Sequence, residues 1–422
     1  MDSRFQQFFI GFLFFALFSS NHLVAQTTYL HCGKLIDGTS ETVFEKRTIV
    51  VRANQIERIE KGYTNVPAGA EAIDLKDYTV MPGLIDCHVH METRIGKGSY
   101  MDRYVMNEAD LAFRASQYAE ITLMAGFTTV RDLGGSGVNT SLRDAIKRGW
   151  VKGPRIISAH KSIAITGGHA DPTNGAKRGL LDYPGPESGV ADGPDECRKA
   201  VRQQVKNGAD VIKITATGGV LSVARDGKRP QFTEAEIEAI VETANDFGLK
   251  VTAHAHGDEG MARAVRGGVA SIEHGTLMSE NTMDLMIEKG TYYVPTITAG
   301  RSVADSAKIG GFFPALVTPK ALEIGPKIQE TFGKAYKRGV KIAFGTDAGV
   351  FEHGKNGLEF EYMVEAGMPP IETILSATKS ASDLLDMDDQ IGSIEAGKLA
   401  DIVAVKGDPL EDIKLLQNIP FV

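Results

Sequence analysis

The sequence has few cysteines and no excess of positive charge. Its three cysteines, Cys32, Cys87 and Cys197, show no C-x-x-C spacing, which excludes a disulfide framework and a structural zinc ribbon. Lysine and arginine number 46 against 54 aspartates and glutamates, giving a formal net charge of -8. Because binding to phosphates needs a basic surface, we expect no nucleic-acid partner. No G-x-G-x-x-G follows an early strand, which disfavours a doubly wound dinucleotide-binding sheet.

Long apolar runs are also scarce, and the main one lies near the amino terminus. It extends from Phe8 to Phe18, after Arg4 and before a polar stretch. Its length fits the roughly 7–15 apolar residues of a signal peptide and is shorter than the ~20 that span a bilayer. We predict a signal peptide over residues 1–25 and an exported protein, periplasmic or secreted, without a membrane span after cleavage. An uncleaved anchor or a buried helix is the alternative.

The rest of the chain has the composition of a globular protein with many turns. Apolar residues make up 42% and charged residues 24% of the 422 residues, and 46 are glycine. Short apolar runs recur ahead of amphipathic stretches such as the helical pattern of Thr233 to Phe247. This alternation predicts an α/β fold, a (β/α)8 TIM-like barrel over residues 83–390. The eight predicted strands are Gly83–Asp86, Thr128–Val130, Arg155–Ser158, Val211–Ile214, Lys250–Ala253, Ser271–Glu273, Tyr292–Pro295 and Lys341–Phe344.

Both ends of the remaining chain have the pattern of short strands. Residues 27–82 contain several alternating runs separated by turn residues, and Asp401–Val405 is a similar run near the carboxyl end. The alternation favours an antiparallel sheet packed on one face. We expect residues 26–82 and 391–422 to form together a small β-sandwich domain beside the barrel.

Ionisable side chains follow directly after several of the predicted strands. In barrels of this kind the carboxyl ends of the strands form the catalytic face. His88 and His90 are spaced by two, so both imidazoles lie on one side of an extended segment and can bind one metal ion. The same spacing also occurs in pairs of solvated histidines. Later strand ends carry His254, His256, His274 and Asp347, and such a set at several strand ends is hard to explain by packing alone.

Lys213 lies inside the apolar strand Val211–Ile214. A buried lysine is costly unless it is paired or neutral, because burial disfavours its charged form. A neutral amine can add carbon dioxide and become a carbamate that bridges two cations. The alternative is a lysine whose ammonium reaches the surface or a single carboxylate.

These residues resemble the amidohydrolase superfamily in its binuclear-metal form, over about residues 27–410. The strand-four lysine Lys213 is one match. The other matching segments are Met81–His90, Val251–His254, Ile272–Gly275, Gly345–Asp347 and Gly392–Val403, in the order of the family.

The resemblance implies two divalent metal ions, with zinc as the expected metal. His88 and His90 would bind the first ion with Asp347, and His254 and His274 the second. A carboxylated Lys213 would bridge the two ions. His256 could exchange roles with His254. Nitrogen and oxygen ligands of this kind suit zinc, and they also fit cobalt or manganese.

The expected reaction is attack of a metal-bridging hydroxide on an amide carbonyl. Asp347 would accept the proton of the water and deliver it to the leaving amine. His169 and His256 would stabilise the oxyanion. The alternatives are that His169 is a solvated loop residue and that His256 orients His254.

Softer signals resemble the branch of Xaa-Pro and Xaa-Arg dipeptidases, which are prolidase-like, and of ochratoxin-type amide hydrolases. They are Thr166–Asp171, Thr217–Ser222 and the doubled histidine of His254–His256. We therefore predict a hydrolase of C–N bonds that acts on dipeptides or N-acyl amino acids, as a dipeptidase or carboxypeptidase does.

The substrate would carry a free carboxylate, for which Arg225 and Lys228 are candidate partners. The alternative is that each is a solvated surface charge. Two long segments, Ala170–Pro194 and Ala299–Pro319, are candidate lids, and the second includes Gly310–Phe313.

Three other interpretations compete with this one. A cyclic-amide hydrolase of the same superfamily also uses a strand-four lysine, whereas mononuclear deaminases lack one. A non-catalytic scaffold would typically lack several ligands, and all six are present here. Because relatives often assemble, we also expect a homo-oligomer.

Overall fold

The computed structural model describes residues 26–422, so the predicted signal peptide lies outside the described residues. None of the helices in residues 26–422 is long and apolar enough to cross a membrane. The strands are β1 Thr27–Ile36, β2 Val43–Arg52, β3 Gln55–Lys61, β4 Glu71–Pro82, β5 Leu84–Val89, β6 Phe127–Asp132, β7 Arg155–Ser158, β8 Ile212–Thr215, β9 Val251–Ala255, β10 Ser271–His274, β11 Tyr292–Val294 and β12 Ile402–Lys406.

The α-helices alternate with strands β5 to β11 and then follow them. They are α1 Asp102–Val105, α2 Glu108–Met124, α3 Val138–Lys147, α4 Gly193–Lys206, α5 Glu234–Asp246, α6 Asp258–Arg266, α7 Glu280–Lys289, α8 Ile297–Ala307, α9 Thr318–Ile324, α10 Ile328–Arg338, α11 Leu358–Glu365, α12 Pro370–Ser376 and α13 Lys379–Leu384. Short 3-10 helices occupy Ser99–Met101, Pro186–Ser188, Gly325–Lys327 and Ile413–Gln417.

The two ends of the described chain meet in one five-stranded sheet, in the order β12-β4-β1-β2-β3. The prediction of a sandwich is wrong for the described residues, because these strands form a single sheet instead of two facing ones. The prediction of antiparallel pairing is correct for most neighbours and wrong for β1 and β4, which are parallel. Strand β2 pairs with one edge of β1, and β3 pairs with β2. Residues 62–70 then return the chain to the other edge of β1, where β4 pairs parallel to it.

Two parallel sheets follow, β5-β6-β7 and β8-β9-β10-β11. The predicted α/β fold is confirmed, and seven of the eight predicted strands are observed. The eighth, residues 341–344, is not a regular strand in the structure. It still lies between the two sheets, because Ile342 bridges Tyr293 and the amide of Cys87 donates to the carbonyl of Phe344 at 2.9 Å. At the other junction Ile163 bridges Ile214.

Helix α5 illustrates how the sequence builds the outer layer. Thr233 caps its first turn by accepting from the amide of Glu236, and the Glu236 carboxylate accepts from the amide of Thr233. This reciprocal capping box satisfies amides that have no partner within the helix. Ile237, Ile240 and Ala244 recur at helical spacing and are buried against the sheet. The helix predicted over Thr233 to Phe247 is therefore observed.

The second candidate lid is only partly a loop. Residues 299–307 belong to α8, because Ala299, Val303 and Ala307 recur every four residues and form a buried stripe. Residues 308–317 are irregular and lead to α9. Phe313 packs in the same apolar cluster as Val303 and, together with its neighbour Phe312, supports the corner between the two helices. The first candidate lid is mostly irregular, with the short 3-10 helix Pro186–Ser188.

The three cysteines lie in separate parts of the fold, in β1, β5 and α4. Cys32, Cys87 and Cys197 are all fully buried and none forms a disulfide. Burial raises the pKa of each thiol to about 12. The thiols therefore stay protonated and pack as small apolar groups.

Candidate active site

The side chains predicted as metal ligands lie at the carboxyl ends of the parallel strands. They line one cavity with a volume of about 250 Å³. His88 lies in β5, Lys213 in β8 and His254 in β9, while His274 is the last residue of β10. The remaining two, His90 and Asp347, follow β5 and the eighth segment. The structure thus brings together residues that span some 260 positions of the chain.

Asp347 lies between the histidines of the first strand. Its Oδ1 atom is 3.4 Å from Nε2 of His88 and 3.4 Å from Nε2 of His90. Ligand atoms of His88, His274 and Asp347 all lie within 4.8 Å of one another. The ring centroids of His254 and His274 are 4.6 Å apart. Such close nitrogen and oxygen donors match the ligand chemistry of a zinc-group ion.

Protein acceptors orient the two histidines of the first strand. Nδ1 of His88 lies 2.9 Å from Oε2 of Glu273, and Nδ1 of His90 lies 2.7 Å from the carbonyl of Gly134. Because a carboxylate and a carbonyl only accept hydrogen bonds, Nδ1 carries the proton in both rings. The lone pair then remains on Nε2, the atom that faces Asp347, as metal ligation requires.

Hydroxyl groups hold two further rings. Nδ1 of His274 lies 2.8 Å from Oγ1 of Thr296, and Nδ1 of His256 lies 2.9 Å from Oγ1 of Thr276. The two rings stack, with centroids 5.0 Å apart. Thr276 thus holds Nδ1 of His256, whose ring meets that of His254 edge-on with centroids 4.7 Å apart. Both His254 and His256 line the cavity.

Burial keeps the imidazole rings of the four candidate histidine ligands neutral. It lowers the pKa of His88, His254 and His274 well below the ordinary value, and that of His90 to about 4. The nearby Lys213 ammonium contributes to the shift for all four. A neutral imidazole is the form that binds a metal ion.

Burial also disfavours the charged forms of Lys213 and Asp347. Burial lowers the pKa of Lys213, which makes the neutral amine accessible. Burial likewise raises the pKa of Asp347. Within residues 26–422, Oδ1 of Asp347 is buried and has no hydrogen-bond partner. A buried carboxylate oxygen without a partner, facing two free imidazole nitrogens, fits a bound cation.

Three residues that line the cavity have left-handed backbone conformations. The φ angle is 72° at His274, 54° at Thr296 and 62° at Asp347. Side chains other than glycine adopt this region at a cost, so the surrounding structure must hold it. The amide of Asp347 donates to the carbonyl of His88 at 2.7 Å, and that of Thr296 donates to Gly345 at 3.1 Å. The strained backbone turns the side chains of His274 and Asp347 into the cavity.

A buried ionic network, which was not predicted from the sequence, lies beneath the cluster. Glu273 is fully buried and its Oε1 accepts from Nη2 of Arg131 at 2.9 Å. Nε of Arg131 donates to the carbonyl of Cys87 at 2.6 Å. The sequence signal for Glu273 and Arg131 was a charged residue inside an apolar strand, the same signal that identified Lys213. The network fixes the carboxylate that orients His88.

Asp86 holds the backbone after the eighth segment, as Glu273 holds the ring of His88. One of its oxygens accepts from the amides of His88 and Thr346, each at 3.0 Å. The other accepts from the hydroxyl of Thr346 at 2.6 Å and from the amide side chain of Asn356 at 2.8 Å. One buried carboxylate thus ties the strand that carries His88 to the residue next to Asp347.

His169 comes from the loop after β7 and stacks on His254, with centroids 4.3 Å apart. A Cβ atom at Gly219 would lie 2.1 Å from Cε1 of His169, so only glycine fits there. Burial lowers the pKa of His169 to about 3, and its buried Nδ1 has no partner in the described residues. Both predicted oxyanion residues, His169 and His256, therefore reach the cavity as neutral rings.

The half of the cavity away from the histidines is apolar. Helix α8 contributes Ala299, Gly300 and Val303, and other aliphatic side chains complete this wall. The two predicted carboxylate partners do not line the cavity. Lys228 is exposed and pairs with Glu323 at 2.5 Å, and Arg225 is exposed. The structure fits the alternative that both are solvated surface charges, because the loop after β8 folds back on itself, with Gly218 close to the carbonyl of Asp226, and turns both cations outward.

Comparison with known proteins agrees with this geometry. The amidohydrolase family matches residues 79–419. Ochratoxinase of Aspergillus niger is 32% identical and aligns over 93% of this chain and 84% of its own length. A Xaa-Pro dipeptidase crystallised with methionine in its active site is 54% identical, with a TM-score of 0.91 over 93% of this chain and 97% of that one. A prolidase in complex with N-methylphosphonate-L-proline is 34% identical, with a TM-score of 0.85 over 93% and 97%.

The chain belongs to the amidohydrolase family. It is a hydrolase that acts on C–N bonds, as the sequence predicted. The resemblance to the prolidase-like and ochratoxin-hydrolysing branch is confirmed. Divalent metal ions are the general cofactors of this family, and the cluster of His88, His274 and Asp347 suits them.

Proposed function

We propose that this protein cleaves the amide bond of dipeptides or N-acyl amino acids in a metal-dependent reaction. The observation that carries the proposal is the position of Asp347, whose unpartnered Oδ1 faces the free Nε2 atoms of His88 and His90. The similarity to a Xaa-Pro dipeptidase, a prolidase and an ochratoxinase supports amides of amino acids as substrates. A cavity of about 250 Å³ is close to the lower end of the roughly 300–1,000 Å³ of ligand pockets and suits a small substrate.

Two divalent ions, with zinc expected, are proposed as cofactors. His88, His90 and Asp347 would hold one, and His254 and His274 the other. Lys213, carboxylated on its amine, would bridge them, and the lowered pKa of this buried amine supports that modification. When bound, such ions polarise an amide carbonyl and lower the pKa of a water molecule.

The side chains of this protein would orient the substrate and move the proton. Among the described residues 26–422, Oδ1 of Asp347 has no hydrogen-bond partner, so it is free to take a proton from water and deliver it to the leaving amine. His169 and His256 are neutral and border the same cavity, so each can donate a hydrogen bond to the oxygen that becomes negative. The apolar wall excludes water, which strengthens these polar interactions.

The test is a substrate panel assayed with the zinc-loaded protein. It contains dipeptides, N-acyl amino acids and, as comparators, a six-membered and a five-membered cyclic amide. We expect release of free amino acids from members of the first two groups, and loss of activity on chelation. Hydrolysis of the cyclic amides alone would overturn the proposal in favour of a cyclic-amide hydrolase.

We also propose that the two parallel sheets and residues 341–348 form a closed (β/α)8 barrel. The bridges of Ile342 to Tyr293, Ala348 to Val89 and Ile163 to Ile214 support closure. The domain limits at residues 82 and 390, homo-oligomer formation and export after cleavage of residues 1–25 remain predictions. Amino-terminal sequencing of the protein recovered from its native compartment tests the cleavage site, with a mature start near Gln26 expected.

A further inference from the structure

The cavity divides into two halves of different chemistry. One half carries the histidine cluster, Lys213 and Asp347. The other is formed by aliphatic side chains from five separate segments. They are Ile95, Val220, Leu221, Val303, Ile324, Ile328 and Val350, and all but Ile328 belong to one apolar cluster. Within residues 26–422, Asp347 is the only carboxylate and Lys213 the only lysine or arginine that line this cavity.

The aliphatic half is held in place by close packing of backbones. A Cβ atom at Gly300 would lie 3.0 Å from the carbonyl of Gly325, and one at Gly325 would lie 2.5 Å from that of Gly300. Helix α8 therefore meets the turn before α10 without intervening side chains. Gly300, Val303 and Ala299 share one helix face, which the spacing of three and four residues requires. The amide of Ile95 donates to the carbonyl of Gly349 at 2.7 Å and joins the loops on the opposite side.

We infer that this half is a side-chain pocket that selects amides whose amino acid carries an uncharged apolar side chain. The inference rests on the proposed function and narrows it. An arginine or lysine side chain would be buried there without a counter-charge, which is strongly unfavourable. An aliphatic or aromatic side chain would instead replace water against these aliphatic groups.

Kinetics on the unmodified, zinc-loaded protein test this inference. The panel compares Gly-Leu, Gly-Met and Gly-Phe with Gly-Asn and Gly-Arg, and it also contains each dipeptide with its two residues exchanged. In one of the two orders we expect kcat/KM for the leucine dipeptide to exceed that for the arginine dipeptide by about 100-fold or more. It should exceed that for the asparagine dipeptide by about tenfold. Arginine within threefold of leucine in both orders would overturn the inference. Hydrolysis of no member would instead overturn the proposed function.

A variant pair tests the position of the pocket. Val303→Asp places a carboxylate in the aliphatic wall, and we expect the ratio of arginine to leucine turnover to rise at least about tenfold. Ile309→Asp is the matched control, because Ile309 follows the same helix and is 58% exposed. If Val303→Asp does not fold, Val303→Phe is used, which should lower turnover of Gly-Phe more than that of Gly-Ala, which is added to the panel for this comparison. An unchanged ratio in the folded variant would contradict the assignment.

A second observation concerns Lys320, which lies behind this wall in α9. The residue is 7% exposed, and its Nζ atom donates to the carbonyls of Gly219, Ser222 and Ala224 at 2.9, 2.8 and 2.9 Å. All three donors of the ammonium are therefore used by one loop. That loop carries Val220, which lines the pocket.

The geometry points to Lys320 as a positioning residue that holds the loop 219–224 against the apolar pocket. It does not touch the cavity, so it acts through the loop. We expect Lys320→Met to raise KM for apolar dipeptides about tenfold, with kcat changed less than about threefold. Lys320→Arg keeps donors in reach and should restore part of the affinity. Lys327→Met is the control, because Lys327 is exposed on the next turn.

Trypsin provides a readout that a general loss of stability would not produce. The loop and its continuation contain the exposed Arg225 and Lys228. Lys320→Met should be cut after Arg225 about tenfold faster than the parent protein at a temperature where both are folded. Unchanged cleavage together with an unchanged KM would overturn the positioning role.

Discussion

Nδ1 of His88 lies 2.9 Å from Oε2 of Glu273, and both side chains are fully buried. The other oxygen of Glu273 accepts from Arg131, so a single carboxylate joins a candidate metal ligand to a buried cation. A residue of this kind holds the ring of a ligand in one tautomer and orientation. The binding strength of the candidate metal site therefore depends on a glutamate that faces away from the cavity.

Replacing Glu273 with glutamine should weaken metal binding. The amide group cannot accept from both His88 and Arg131, and Arg131 keeps a buried charge without its partner. We expect metal affinity to fall about 10- to 100-fold, together with a lower melting temperature. Competition with a chromogenic chelator measures the affinity. Glu280→Gln, at an exposed position on α7, is the control, and equal affinity in the two variants would contradict the expectation.

Removing the amine of Lys213 should remove amidase activity. The purified parent protein is expected to hold about two zinc-group ions per chain, because a carbamate on Lys213 is the proposed bridge. Lys213→Ala should lose activity, and a short carboxylic acid should restore part of it by occupying the place of the carbamate. Metal analysis and rescue kinetics check this prediction. Lys206→Ala, on the exposed end of α4, is the control. Full activity of Lys213→Ala would show that the lysine is structural.

His169→Ala should lower kcat while metal content is retained. His169 is not among the proposed metal ligands, and its ring borders the cavity beside His254. Loss of one oxyanion donor typically costs about 10²–10³ in turnover. Steady-state kinetics with metal analysis on the same preparation separates this loss from loss of the ions. His31→Ala, in the five-stranded sheet, is the control. A variant with normal kcat would indicate a structural role for His169.

The stability of the protein should fall as the pH drops from about 6.5 to about 4. Burial lowers the pKa of His353 to about 4, whereas the unfolded chain titrates near 6.5. The unfolded state thus binds more protons across this window, so the free energy of unfolding decreases with falling pH. His353→Gln should flatten this dependence, since Gln keeps a donor for the carbonyl of Thr93. Denaturant unfolding between pH 4 and 7 measures the slope, and an unchanged slope would refute the assignment.

Much of the candidate site was predictable because its members sit in local patterns. Each ligand ends or interrupts an apolar strand, and His88 and His90 differ by the two-residue period of a strand. Because parallel strands run in the same direction, their carboxyl ends lie at the same edge of the sheet. The order of the strands therefore determines the approximate position of the cavity, without knowledge of any long-range contact.

The parts that were missed depend on contacts between distant segments. Glu273 gains its role only through His88 and Arg131, which are more than 140 positions away. The parallel pairing of β1 with β4 depends on which edge of β1 remains free. Arg225 and Lys228 have the charge that a carboxylate needs, but the turn at Gly218 directs them to solvent. None of these outcomes has a signature within a short window of sequence.

The three buried thiols can report local unfolding of the protein. Cys32, Cys87 and Cys197 lie in three different structural regions, and a maleimide dye can reach each one only after that region loosens. The order in which the three are labelled during gentle heating would rank the five-stranded sheet, the strand that carries His88 and helix α4 by their local resistance to unfolding.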